Sequence, residues 1–203
     1  KAFVAGADIS QFGENRDSKE AAREYENKNM SAFAAISACE KPTIAMIDGY
    51  CIGGGLGIAL ACDIRIASEG STFAIPAAKL GLGYPADGIK HIISLIGPQF
   101  TKELFFTARQ FSHEEALKMG LINQLTSKTE LEEKTKKLCD TISANAPLTI
   151  YAAKKAIDAI AAAPETYDGE TLAHLVSDCF DSEDYAEGRK AFEEKRKPHF
   201  KGK

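Results

Sequence analysis

The chain has 203 residues, long enough for one well-packed domain with a small appendage. Its 44% hydrophobic and 27% charged residues exclude a disordered chain. A formal net charge of -4 leaves no basic excess to neutralise phosphates, which argues against a nucleic-acid surface; no apolar run reaches the roughly 20 residues that a membrane span needs.

The cysteines are Cys39, Cys51, Cys62, Cys139 and Cys179. Their number is odd and no CxxC pair occurs, so free thiols are expected rather than a disulfide framework or a zinc site. A reducing compartment follows: the cytoplasm, or an organelle matrix if a transit peptide has been removed. The first residue is Lys1 rather than methionine, and Ala2-Phe3-Val4-Ala5-Gly6 runs straight from a strand-like entry into a turn. Further residues are therefore expected upstream in the natural protein.

In chain order, residues 18–38 read as a helix with an apolar face at Phe33 and Ile36, ended by Pro42. Residues 43–48 form a short buried-type strand. A glycine run follows, then a helix over 56–62 and a strand over 64–68 that alternates in polarity. This strand–turn–helix–strand order is a βαβ-type crossover and predicts an α/β layered core. Residues 71–88 read as loop. Helices are expected over 89–95 and 100–106, separated by Gly97-Pro98. Ser112 and Glu115 form a capping box for the next helix, and Gly120 ends it. A strand at 121–125 and helices at 130–144, 149–162, 165–180 and 185–197 complete the chain. No internal sequence repeat is visible. Two regions are expected: an α/β core over 1–126 and a helical region over 127–203.

Three consecutive glycines, Gly53-Gly54-Gly55, require a reason because glycine loses the most backbone entropy on folding. Two readings stand. The run is a tight turn that lets the helix pack closely, or its amides face a substrate oxygen that gains negative charge. The spacing is not GxGxxG, and no downstream aspartate supports dinucleotide binding.

The stretches 2–9, 41–49, 53–67, 71–73, 106–109 and 115–121, with Glu187-Gly188 and Phe192 to Pro198, resemble the crotonase (enoyl-CoA hydratase/isomerase) superfamily along the whole chain. The resemblance implies a stack of ββα units followed by a helical trimerisation region, and assembly as a homotrimer or a dimer of trimers. It implies an acyl-CoA substrate and no separate cofactor, coenzyme A being part of the substrate. The oxyanion-hole amides match Ala5 and Gly54, with Gly53 lining the substrate. The adenine end of coenzyme A is expected at Ala7-Asp8-Ile9. A C-terminal lysine, Lys195 or Lys197, is expected to approach the phosphates from a neighbouring subunit; the same basic cluster also reads as a solvated helix end. The family's N-terminal segment is expected to precede this chain.

Where the resembling hydratases carry two glutamates, this chain has Gly57 and Ala77. Neither can move a proton. Asp87 is the charged residue of the segment 80–88, a candidate acid if buried, or a turn aspartate beside Gly88. Residues 71–74, Ala78, Leu80-Gly81, Tyr84 and Gly88 resemble the methylmalonyl-CoA decarboxylase branch, which places a tyrosine in its active site. Three readings follow: an acyl-CoA enzyme of the hydratase/isomerase type without the glutamate pair, a malonyl-type decarboxylase using Tyr84, or a non-catalytic acyl-CoA-binding or assembly homologue. His91 and His113 are assigned no catalytic part.

Overall fold

A computed structural model describes residues 2–6, 19–163 and 165–203. It divides into two compact units, Lys1–Cys39 with Thr43–Lys134, and Glu40–Pro42 with Thr135–Lys203. Among the described residues no helix is long and apolar enough to cross a membrane.

The first unit holds two sheets. One has the order β1 (Ala2–Val4), β3 (Tyr50–Ile52), β5 (Thr72–Ala74) and β6 (Phe111–Ser112); the other has β2 (Ile44–Ile47), β4 (Ile64–Ser68) and β7 (Gln124–Thr126). All pairings are parallel except β5 with β6. The expected crossover exists: β2 and β4 pair in parallel, with α2 (Gly54–Ala61) between them in sequence. The short strand β3 also lies between them and belongs to the other sheet. Each of β2 and β4 therefore turns sharply into a strand of the second sheet, and a helical segment follows. This is a ββα unit used twice.

The two sharp turns are built alike. Gly49 (φ 85°) and Gly70 (φ 82°) take the left-handed conformation that β-carbons disfavour. Buried hydroxyls stitch one turn to the next. Ser68 Oγ donates to Asp48 Oδ1 at 2.9 Å, Ser71 Oγ accepts from the Gly49 amide at 3.1 Å, and the two serine hydroxyls are 3.2 Å apart. Lys128 closes the set on the Asp48 carboxylate at 2.7 Å.

Three sequence expectations shift for local reasons. The segment 71–88 is not simply loop: it contains β5, a 3₁₀ turn (Pro76–Leu80) and the start of α3 (Ala86–Thr107). Phe73, Ala74 and Ile75 are all buried, but a three-residue strand is too short to show a period. Within α3, Gly97 (φ 72°, ψ 167°) breaks the helix before Pro98, as expected. The strand expected at 121–125 is displaced to 124–126. The buried Arg65 side chain takes the Leu121 carbonyl at 2.8 Å, and Asn123 exchanges hydrogen bonds with the Arg65 backbone. The Ser112 capping box is present in both directions and holds α4 (His113–Met119), with Gly120 as its left-handed end.

The unit boundary falls inside α5 (Leu131–Ser143). The second unit continues with α6 (Pro147–Ala162), α7 (Gly169–Phe180) and α8 (Glu183–Glu193). Asp168 and Ser182 cap the last two helices. The buried Asp184 carboxylate accepts from the Lys201 and Gly202 amides at 2.7 and 2.8 Å, fixing the end of the chain. The last helix ends earlier than the expected 197. Lys195 is left-handed (φ 53°), and Arg196 folds back in a two-pronged ion pair onto Glu187.

The core of the first unit gathers Ile47, Cys51, Leu56, Ala59, Phe73, Ile75, Leu104, Phe111 and Leu121, with others. None of the five cysteines forms a disulfide among the described residues, and burial pushes the Cys51 thiol up to about 12.

A β-carbon on Gly55 would collide with the Val4 carbonyl oxygen and lie 2.7 Å from Val4 Cβ, whereas one on Gly57 would meet only the Phe33 ring. Backbone cannot yield as a ring can. Gly55→Ala is expected to destabilise by about 3 kcal/mol in urea unfolding, Gly57→Ala by about 1 kcal/mol or less, and Gly54→Ala, whose β-carbon meets nothing, by less still. Equal costs at 55 and 54 would show that Val4 and α2 are not in close contact.

Candidate active site

The site is built where β3 enters α2. Gly53 bridges them in a conformation reserved for glycine (φ 56°, ψ -120°). Its amide donates to the Ala74 carbonyl at 2.8 Å, and its carbonyl accepts from Gly57 at 3.1 Å. Among the described residues no side chain caps this helix end. The leading amides of α2 therefore lack intrahelical partners, and the helix dipole adds positive potential there. Gly55 and Leu56 are buried, but Gly54 is exposed, and a β-carbon on it would meet nothing within 4 Å among the described residues.

Other chain segments close around this point. Beyond β1, Ala5 is exposed and Gly6 is left-handed (φ 100°). A β-carbon on Gly53 would lie 3.8 Å from Gly6 Cα and 3.9 Å from Pro76 Cδ. The structure thus brings together Ala5–Gly6, Gly53–Gly54 and Pro76–Ala77, with Ala77 itself buried. Ala7, Asp8 and Ile9 lie outside the described residues. Lys195 and Lys197 belong to the second unit and are exposed in the turn after α8.

Gly57 faces the helix α1 (Lys19–Ser37). A β-carbon there would sit 2.6 Å from Phe33 Cζ, so the phenyl ring fills the space in which any side chain at 57 would begin. Tyr84 is half-buried, packs on the core and meets Phe105 edge-on at 4.9 Å. Gly88 leaves it room, since a β-carbon there would be 2.8 Å from Tyr84 Cε1. Burial raises the Tyr84 phenol above its ordinary pKa, and the negative charge of Glu26 raises it further. The phenol is therefore a neutral hydrogen-bond donor at pH 7.

Asp87 differs from its expected setting. It lies in the first turn of α3 rather than in a loop, and it is exposed. The helix dipole accounts for a carboxylate at that place, and the burial on which a proton-transfer role depended is absent. The histidines make backbone contacts: His91 Nε2 meets the Leu60 carbonyl at 2.8 Å, and His113 Nδ1 accepts from the Gly70 amide at 3.1 Å.

Sequence reasoning passed over Phe33 and Glu26 as site residues. The signal was available in helical spacing. Positions 26, 33 and 37 share one face of α1, seven and four residues apart. Glu26 is half-buried and makes no hydrogen bond or ion pair among the described residues.

The sequence model of the family described as enoyl-CoA hydratase/isomerase matches residues 1–203. The chain is 34% identical to a short-chain-enoyl-CoA hydratase of Clostridium acetobutylicum, over 97% of this chain and 75% of that protein. It is 35% identical to a carnitinyl-CoA dehydratase of Salmonella typhi, over 100% of this chain and 78% of the relative. Its structure superposes with a TM-score of 0.93 on a crystal structure of an enoyl-CoA hydratase/isomerase family protein from Hyphomonas neptunium, which is 36% identical and covered to 77%.

Replacing Glu26 by Gln removes a negative charge that disfavours the phenolate. The Tyr84 titration midpoint, followed by NMR of labelled tyrosine ring carbons with Tyr84→Phe for assignment, is expected to fall. An unchanged midpoint would place Glu26 out of range of Tyr84.

Proposed function

The chain belongs to the enoyl-CoA hydratase/isomerase (crotonase) family and has its α/β fold, and from that premise we propose that it acts on an acyl-CoA thioester by stabilising its enolate. The observation that carries this reading is the uncapped, exposed amide of Gly54 at the head of α2. A thioester oxygen that accepts from Gly54 gains charge as the enolate forms, in the positive potential of the helix end. The second donor is assigned to the chain turn that leaves β1 at Ala5, next to Gly53 through Gly6. Each such donor contributes about 3–4 kcal/mol in comparable sites.

With Gly57 and Ala77 in place of carboxylates, water addition by a glutamate pair is not the proposed chemistry. The proposal is proton transfer at the carbon beside the thioester, the step that isomerases and lyases of acyl-CoA share. Tyr84, a neutral donor, is assigned to hydrogen-bond the reacting acyl end. Ala7-Asp8-Ile9 are the proposed contacts to the adenine end of coenzyme A, and a lysine of a neighbouring subunit, at position 195 or 197, is proposed to approach its phosphates. Assembly into a homotrimer or a dimer of trimers is proposed from the second unit, where Val176, Phe180 and Phe192 are exposed along an apolar groove of about 680 Å³.

The Gly54→Pro change deletes the one amide and keeps the helix, because proline is well accepted at the first helical position. Incubated with butyryl-CoA in deuterated water, the protein is expected to incorporate deuterium at C2, read by mass spectrometry. Gly54→Pro is expected to slow this by about 10²–10³-fold. No incorporation from any of a panel of short- to long-chain acyl-CoAs would overturn the reading and leave binding or assembly as the role.

A further inference from the structure

An enolate site needs a group that takes and returns the proton, and the two positions at which the family resemblance places one hold Gly57 and Ala77. The structure supplies a carboxylate from a different element. Helices α1 and α2 touch at two points: Ser37 Oγ donates to the Ala61 carbonyl at 3.3 Å, and the Phe33 ring lies over Gly57. Both pairs are offset by the same 24 positions, so the helices run side by side in the same direction. Glu26 stands seven residues before Phe33, two turns back along the same face of α1. Gly54 stands only three residues before Gly57. At 1.5 Å per residue these spacings carry Glu26 about 6 Å past the head of α2. A thioester held at the Gly54 amide with its C2 carbon turned toward α1 would meet the Glu26 carboxylate there.

We propose that Glu26 is the catalytic acid/base residue of this site, transferring the C2 proton of an acyl-CoA thioester whose oxygen is held by the Gly54 amide. The proposal rests on the enolate reading above. In the forward step a carboxylate oxygen of Glu26 forms a bond to the C2 proton. The C2–H electron pair moves into the bond between C2 and the thioester carbon, and the carbonyl π pair moves onto the oxygen facing Gly54. Glu26 is then a neutral acid. It returns a proton to C2, or to the γ-carbon of an unsaturated chain, which shifts the double bond. Nothing else is consumed.

Two further observations support the assignment. Glu26 is half-buried without a partner among the described residues, whereas Glu24, on another face of the same helix, is 70% exposed and paired with Lys28 at 2.8 Å. The charge of Glu26 is also felt at Tyr84, which puts the carboxylate within electrostatic reach of the phenol assigned above to the acyl end.

Glu26→Gln keeps the shape and removes the base. Deuterium incorporation into C2 of butyryl-CoA is expected to fall at least 100-fold, while calorimetric Kd for the same ligand and the Tm stay close to the wild-type values; Glu26→Asp is expected to restore part of the rate. Glu26→Gln that exchanges as fast as wild type overturns the role of Glu26 and leaves the enolate reading intact. Loss of exchange together with loss of binding also overturns it, by showing a merely structural part. Absence of exchange in the wild type overturns both readings, and is distinguished from failure of Glu26 alone because in that case wild type and variant exchange alike.

Discussion

The Val4 carbonyl rests against the Cα of Gly55, so that strand β1 and the first turn of α2 meet backbone to backbone. Only glycine permits that approach, since any β-carbon at 55 would enter the Val4 carbonyl group. Much of the site follows from it. The helix head is pressed onto β1, which buries Gly55 and Leu56 and leaves Gly54 as the exposed amide. The same contact carries the end of β1, through Gly6, against Gly53. Two amide-bearing turns from distant parts of the chain are thereby held side by side without a side chain between them. Electrostatic stabilisation of this kind depends on donors that do not reorganise, and a backbone contact is the stiffest way to hold them.

The ββα units give that contact its rigid base. Short parallel strands supply few hydrogen bonds each, and their register depends on what happens at their ends. Ser68, Ser71 and Asp48 link successive turns through buried hydroxyl groups, so that β2, β3, β4 and β5 shift together or not at all. The Gly53 amide is tied to Ala74 in the same way, which fixes the head of α2 to the end of β5 and brings Pro76 and Ala77 up to it. The site is thus set by sheet register on one side and by helix packing against α1 on the other.

Features carried by single residues with strong conformational demands were legible in the sequence. The glycine run, the break at Gly97-Pro98 and the Ser112 capping box all stand where their chemistry requires. The α/β crossover was legible because β2 and β4 are long enough to show their character. Strands β3 and β5 were not, because three residues cannot display a period of two. Asp87 was read as a loop residue because a helix that starts after Pro85, with glycine at 88, lacks the usual propensity signal; its exposure is a tertiary property that no local pattern carries. Glu26 and Phe33 were passed over for a related reason. Their face of α1 is mixed, polar at 26 and 37 and aromatic at 33, so it reads as the edge of an amphipathic helix rather than as a wall of a site.

That mixed face also explains why the loss of one carboxylate and the gain of another belong together. With any side chain at 57, the Phe33 ring would have to turn out of the place it holds. With glycine there, the ring enters the gap and the two helices close, held at the far end by Ser37 on Ala61. Under the proposal for Glu26, a glutamate two turns before Phe33 takes the task that a side chain at 57 would otherwise serve. In that proposal Gly57 is the position against which the Phe33 ring of α1 packs. The chemistry can move from one helix to its neighbour without any change in the amides that hold the substrate oxygen.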